Sequence, residues 1–131
     1  MSTKKKTKSS PRIVWFEVPA DDIDRARKFY NSLFGWKIQP LKAAVADYWH
    51  IDTDGGDESI DGGMLKKMHP QHTITNYIAV PSVDKAAVKV KKLGGEICKE
   101  KTAVPGMGYF VICTDTEANT FALWEVNDKA K

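Results

Sequence analysis

Two polar side chains stand among aromatic ones where a strand would alternate them. In RIVWFEV, Trp15 and Glu17 share a parity, and in YWHIDTD, Tyr48 and His50 do. A carboxylate and an imidazole are the usual carriers of a proton near neutral pH, so Glu17 and His50 are the candidate catalytic acid/base residues. Strand parity puts Trp15, Tyr48, Leu65, Tyr77, Tyr109 and Trp124, with Val111, on the same concave side. Apolar and aromatic walls with a few converging polar groups describe a small-molecule pocket, and these residues are its candidate lining. His69 and His72 flank Pro70 in the polar stretch MHPQHT, where imidazoles are more often solvated than ligating. Cys98 and Cys113 show no metal or redox spacing and read as free thiols.

The elements that must hold these residues repeat. Tyr48 to Asp54 is YWHIDTD and Tyr109 to Asp115 is YFVICTD, so Tyr, Ile, Thr and Asp recur at one constant offset. Other landmarks follow at nearly the same spacing. Val18-Pro19 recurs as Val80-Pro81, Asp24-Arg25-Ala26 as Asp84-Lys85-Ala86, and Phe34-Gly35 as Leu93-Gly94. A repeat of this kind decides architecture, because each copy is too short to build a good core alone.

Within each copy the reading is βαβββ. Arg12 to Val18 is rich in β-branched and aromatic residues and reads as a strand, with Val14, Phe16 and Val18 under a helix. The helix starts after Asp21 or Asp22, carries Ile23, Ala26, Phe29, Tyr30 and Leu33 at helical spacing, and ends at Gly35. Strands follow over Trp36–Gln39, stopped by Pro40, over Ala46–Thr53 and over Gly62–Lys67, with an acidic, glycine-rich loop before the last. In the second copy the strands are Thr75–Val80, Glu96–Lys99, Tyr109–Thr114 and Thr120–Val126, and a helix spans about Val83–Leu93. Lys101 to Gly108 reads as a loop with a Pro105-Gly106 turn, and between the last strands Asn119 is able to take positive φ, with Ala118 before it as the position to which a one-residue shift would move it.

Composition sets the class. A chain of 131 residues, 42% hydrophobic and 28% charged, has the length and the polarity of one soluble domain. The formal charge of +3 suggests nucleic acid until it is located: Lys4, Lys5, Lys6 and Lys8 crowd the opening, and the remainder is close to neutral. Residues 1–11 are expected to be a disordered basic tail, followed by one domain over 12–127 made of modules 12–68 and 73–127. No apolar run approaches a membrane span and no signal peptide opens the chain, so the expectation is a cytoplasmic protein with neither nucleic acid nor membrane as partner.

Paired βαβββ units, an acidic-capped helix ending FYNSLFGW, and a closing run from PGMGYF to DTEANTFALWE resemble the vicinal oxygen chelate superfamily, the glyoxalase, bleomycin-resistance and extradiol dioxygenase group. The resemblance covers about Arg12 to Asn127 and implies an α+β fold of two βαβββ modules whose curved mixed sheets surround a cleft. It also implies a divalent metal held by four side chains, one from each first strand and one from each last. Those positions fall on Ile13, Gly63, Thr75 and Ala122, none of which is a usual metal ligand.

The expected function is therefore a metal-free protein without a cofactor, binding a small aromatic or amphipathic molecule between its modules. Two alternatives stay open. One is a glyoxalase-like lyase or isomerase that uses a displaced metal site, or Glu17 and His50 as an acid/base pair. The other is a dimeric interaction module, a homodimer being common in the group. Ligand specificity is expected from loops 40–46 and 53–61.

Overall fold

The computed structural model describes residues 11–41 and 47–131. The basic tail and the start of the strand expected at Ala46, with most of the loop before it, lie outside the described residues. Elements follow as β1 (Arg12–Ala20), α1 (Ile23–Phe34), β2 (Lys37–Pro40), β3 (Trp49–Asp52), β4 (Gly62–Lys66), β5 (Thr75–Ala79), α2 (Val83–Lys92), β6 (Glu96–Val104), β7 (Gly108–Thr114) and β8 (Thr120–Val126). This is βαβββ twice, an α+β architecture. Among the described residues no helix is long and apolar enough to cross a membrane.

The chain divides into two compact units. The first is Val14–Asn76; the second joins Tyr77–Lys131 to the described residues 11–13. In the first, the strands run in the order β2-β3-β4-β1, with β1 and β4 parallel and the other pairs antiparallel. Helix α1 begins because the Asp22 side chain accepts the Arg25 N–H at 3.0 Å, and it ends at Gly35, whose φ of 77° is left-handed. Phe16, Ile23, Ala26, Tyr30, Trp36 and Trp49 pack around Val18, Ala20, Ile38, Ile51 and Met64. Phe29 and Leu33 do not join this core, being 59% and 58% exposed. The stripe that meets the sheet is narrower than helical spacing suggested, and Phe29 instead lies edge-on to Tyr30, with ring centroids 5.2 Å apart. Pro40, expected to stop β2, is its last residue and pairs with Trp49. It is tolerated because β2 is an outer strand.

The second unit has the order β5-β8-β7-β6. Helix α2 is capped by Ser82, whose Oγ accepts the Lys85 N–H at 3.1 Å, and by Glu125 of β8, whose Oε1 accepts the Val83 N–H at 3.0 Å. Its buried side packs Val83, Ala86, Ala87 and Val90 against Val111, Cys113, Leu123 and Phe121. Leu93, expected as the last residue of the helix, lies exposed just beyond its end. Strand β6 runs on through Thr102 to Val104, where a loop was expected, and its register with β7 shifts between Ile97 and Lys99 and again before Thr102. Such irregularities suit an outer strand, which they bend and make a poorer template for pairing.

The turn between β7 and β8 takes the shifted form. Positive φ falls on Ala118, at 66°, and not on Asn119. Asp115 sets this: its Oδ1 accepts the N–H groups of Glu117 and Asn119 at 2.8 and 2.9 Å, while its Oδ2 takes the Asn119 side-chain amide at 3.1 Å. With Asn119 held at both ends, the left-handed residue is the alanine before it, at a strain of roughly 1–2 kcal/mol for a Cβ there. Ala118→Gly is expected to stabilise the protein by about 0.5–1 kcal/mol, read as a higher urea midpoint at unchanged slope. An unchanged or lower midpoint contradicts the strain.

Candidate functional site

The first unit brings Glu17, Gly63 and His50 into one row across its sheet. Glu17 of β1 pairs with Gly63 of β4, and Gly63 pairs with His50 of β3. Because the central member has no side chain, there is room above it, and the phenol of Tyr48 fills that room. A Cβ added at Gly63 would collide with the Tyr48 hydroxyl and ring. Tyr48 is fixed there by two hydrogen bonds. The Trp15 indole Nε1–H donates to its Oη at 3.0 Å, and its hydroxyl donates to Glu17 Oε2 at 2.7 Å. Glu17 is only 8% exposed, so its carboxylate depends on such donors to offset the loss of water.

His50 continues the wall. Its ring stacks on the Trp15 indole, centroids 5.7 Å apart and planes within 12°. Its Nε2 lies 3.0 Å from Asp61 Oδ2. Asp61, in the loop just before β4, is itself held: its Oδ1 accepts the Thr53 N–H and the Thr53 hydroxyl, each at 3.1 Å. Partial burial works to raise the Asp61 pKa, but the Thr53 N–H, the His50 ring and the Thr53 hydroxyl together hold it below the ordinary carboxylate value. An ionised carboxylate can only accept, so a neutral His50 carries its proton on Nε2 and leaves the Nδ1 lone pair as an acceptor.

Trp15, Tyr48, Glu17 and His50 are thus brought together as their strand parity implied. Glu17 and His50 are engaged by different partners, Tyr48 and Asp61. Leu65 has the parity of Gly63, two residues along β4. Asp61 and Thr53 were missed, because both sit outside regular strand alternation. The recurrence of Thr53-Asp54 as Thr114-Asp115 singled out Thr53, but nothing in the repeat marked Asp61, which lies in a loop that parity rules do not reach.

In the second unit the expected lining needs correction on β7. Tyr109 and Val111 lie on the helix side, packed with Val83, Cys113 and Leu123. Strand pairing sets this register: Tyr109 stands opposite Glu125 and Phe110 opposite Trp124. Phe110 therefore shares a face with Trp124, and its ring meets Tyr77 edge-on at 6.1 Å. Tyr109 instead lies under the Lys101 ammonium, 4.4 Å from the ring centroid. Cys113 is fully buried on the helix side, and burial, aided by the neighbouring Cys98, pushes its thiol up to about 11, which keeps it from acting as a nucleophile. His69 and His72 stack on each other in the loop after β4, and His72 Nδ1 accepts the Met68 N–H at 3.2 Å.

The positions that resemblance assigns to a divalent metal do not fit one. Ile13 and Ala122 have no donor atom, the Thr75 hydroxyl donates to the Thr73 carbonyl at 3.2 Å, and Gly63 is covered by Tyr48. Among the described residues no group of three or more His, Cys, Asp or Glu side chains gathers where an ion could sit.

Comparison with known proteins agrees with this architecture. Residues 12–45 match the family described as bleomycin resistance protein-like N-terminal. A glyoxylase-like domain-containing protein of Didymella fabae is 33% identical over 117 residues, covering 86% of this chain and 91% of that protein. The longer CFP32 of Mycobacterium bovis is 26% identical over 113 residues, 85% of this chain but 42% of its own length. A solved glyoxalase/bleomycin resistance protein/dioxygenase superfamily member from Vibrio splendidus shares the fold, with a TM-score of 0.63 at 12% identity over 90% of this chain and all of that one. The chain belongs to the glyoxalase and bleomycin-resistance group of the vicinal oxygen chelate superfamily.

Two outcomes follow from the wall. Gly63→Ala is expected to destabilise by about 1–3 kcal/mol, because an added methyl in a packed site forces its neighbours off their rotamers. The loss should shrink in a Tyr48→Ala background, and a double-mutant cycle by urea unfolding that gives independent effects contradicts the contact between them. Asp61, with its folded pKa depressed, adds stability above the unfolded value of about 3.9 that disappears as pH falls through the folded pKa. Asp61→Asn should flatten the acid limb of the stability curve, and an unaltered limb rules that contribution out.

Proposed function

We propose that this protein binds a small aromatic or amphipathic molecule without a divalent metal, and that the wall formed by Trp15, Tyr48, Glu17 and His50 makes the contact. The observation that carries this reading is the hydrogen-bonded series from the Trp15 indole through the Tyr48 hydroxyl to Glu17 at 3.0 and 2.7 Å. It holds aromatic rings in fixed positions before any ligand arrives, which lowers the ordering cost of binding. Half-buried rings beside a few polar groups are the composition of small-molecule sites. Tyr48, seated on Gly63, takes the space in which a ligand side chain from β4 would begin.

The test is a thermal-shift screen of aromatic compounds of varied charge. A true ligand at a hundredfold excess over its Kd should stabilise by about 2.7 kcal/mol. Trp15→Ala should abolish the shift, and Tyr48→Phe, which keeps the ring and loses the hydroxyl, should weaken binding about tenfold, as expected when a hydrogen bond near a charge is lost. No shift across the panel, or a shift indifferent to Trp15→Ala, defeats the proposal.

A second reading, a lyase or isomerase of the glyoxalase type, draws support from His50 and Asp61. An imidazole oriented by a carboxylate is the usual form of a general base, and a side chain 38% exposed can reach a substrate. Such an enzyme would carry solvent deuterium into a carbon acid next to a carbonyl, and His50→Gln would stop it. Absence of exchange with a panel of 2-oxoaldehydes and their thiol adducts removes this reading and leaves binding alone.

A further inference from the structure

Helix α2 turns its two faces to different surroundings. Val83, Ala86, Ala87 and Val90 pack on the sheet of the second unit, while Lys85, Lys89, Lys91 and Lys92 are all exposed. Lys85, Val88, Lys89 and Lys92 stand at i, i+3, i+4 and i+7, so they form one stripe on the outer face. The acid within the helix, Asp84, is taken: its Oδ2 accepts from the Lys101 ammonium at 3.0 Å. Among the described residues none of the four exposed ammonium groups has a carboxylate partner. The helix dipole accounts for the lysines of the last turn, where the carbonyl ends are partly negative. It does not account for Lys85, which stands in the first turn, where a cation is unfavourable. Nor does it account for the apolar side chains beside the lysines: Val88 is 57% exposed and Leu93, just past the helix, is 72% exposed.

From these positions we infer that α2 is the face on which the protein docks to an anionic phospholipid bilayer, resting on the membrane without crossing it. Complementary charge carries the contact. The headgroups of such a bilayer form a negative sheet that several lysines on one stripe meet at once, and each lysine near the surface is worth roughly fivefold in affinity. Val88 and Leu93 separate this partner from other polyanions. Beside a bilayer an exposed apolar side chain gains by entering the boundary with the acyl chains, whereas along a nucleic acid it faces sugar and phosphate. From Tyr77 to Lys131 the chain holds no Arg, the side chain whose planar fork pairs with phosphates and base edges of nucleic acids. Its cations there are lysines, which act as point charges. The expectation of no membrane partner rested on the lack of an apolar run long enough to span, and a helix that lies on lipid does not need that length.

This face belongs to the second unit and uses no residue of the aromatic wall, so its test is independent of ligand binding there. The full chain is sedimented with vesicles of phosphatidylcholine alone and with vesicles in which about 30% of the lipid is phosphatidylserine, whose charge supplies the attraction. Binding is expected to be at least tenfold tighter to the anionic vesicles and to fall severalfold as ionic strength rises from about 0.05 to 0.5 M. Lys85→Glu combined with Lys89→Glu should remove it, and Lys85→Gln combined with Lys89→Gln should weaken it about 25-fold. Both positions are exposed, and the urea midpoint of each variant checks that it is folded; the milder pair decides if charge reversal unfolds the chain. Val88→Ser should weaken binding about threefold with the salt dependence unchanged. Lys4, Lys5, Lys6 and Lys8 supply the control, because a basic segment can bind such vesicles by itself. With all four changed to Gln, vesicle binding should remain and should still depend on Lys85 and Lys89. Loss of binding in that control assigns it to the opening lysines and overturns the role of α2. Equal binding to neutral and anionic vesicles, or α2 variants that bind as the parent does, overturns it too. A DNA duplex that binds the parent when anionic vesicles do not makes the partner a nucleic acid and defeats the proposal.

Discussion

A carboxylate that loses its water needs donors, and in this protein that need organises the first unit. Glu17 points from β1 to a face where it is almost fully buried. The Tyr48 hydroxyl answers it, but only by lying across β4, and β4 can be crossed only where it has no side chain. Glycine at position 63 is thus a requirement set by Glu17 through Tyr48. Trp15 then completes the hydroxyl with its indole N–H, and His50 stacks on Trp15. One desolvated charge fixes the positions of three aromatic rings.

The two units keep separate cores. One gathers about Ile51 and Met64 beneath α1, the other about Val83, Val111 and Cys113 beneath α2. Fully burying a side chain of this size contributes about 1.5–3 kcal/mol, so a handful of such residues accounts for most of what each small unit can gain. The aromatic wall adds little of this kind, since its rings are only half-buried. Its order comes from hydrogen bonds and stacking, which are weaker in sum but specific in direction.

Much of this was legible in the sequence, for physical reasons. The repeat, the helix caps at Asp22 and Gly35, and the alternation in β1 are local signals, and local signals survive folding. The face of β7 was not legible, because YFVICT is apolar at nearly every position and offers no alternation to read. Only its register against β8, with Tyr109 opposite Glu125, decides which residues turn toward α2. Glu125, on the helix side of β8, caps α2. Asp61 and Thr53 were hidden for a different reason, since a loop residue reaches its partner by a path that no periodicity describes. The strained turn at Ala118 is a third case, in which side-chain bonds from Asp115 outweighed the usual preference of Asn for a left-handed position.

The exclusion between Tyr48 and Gly63 has a consequence for descent within the superfamily. A lineage moving between a metal-bearing β4 and this arrangement must change both residues, and either change made alone is harmful. A side chain at 63 strikes the phenol, while loss of the phenol removes a hydrogen-bond donor from Glu17. The two positions are therefore expected to be inherited as a pair.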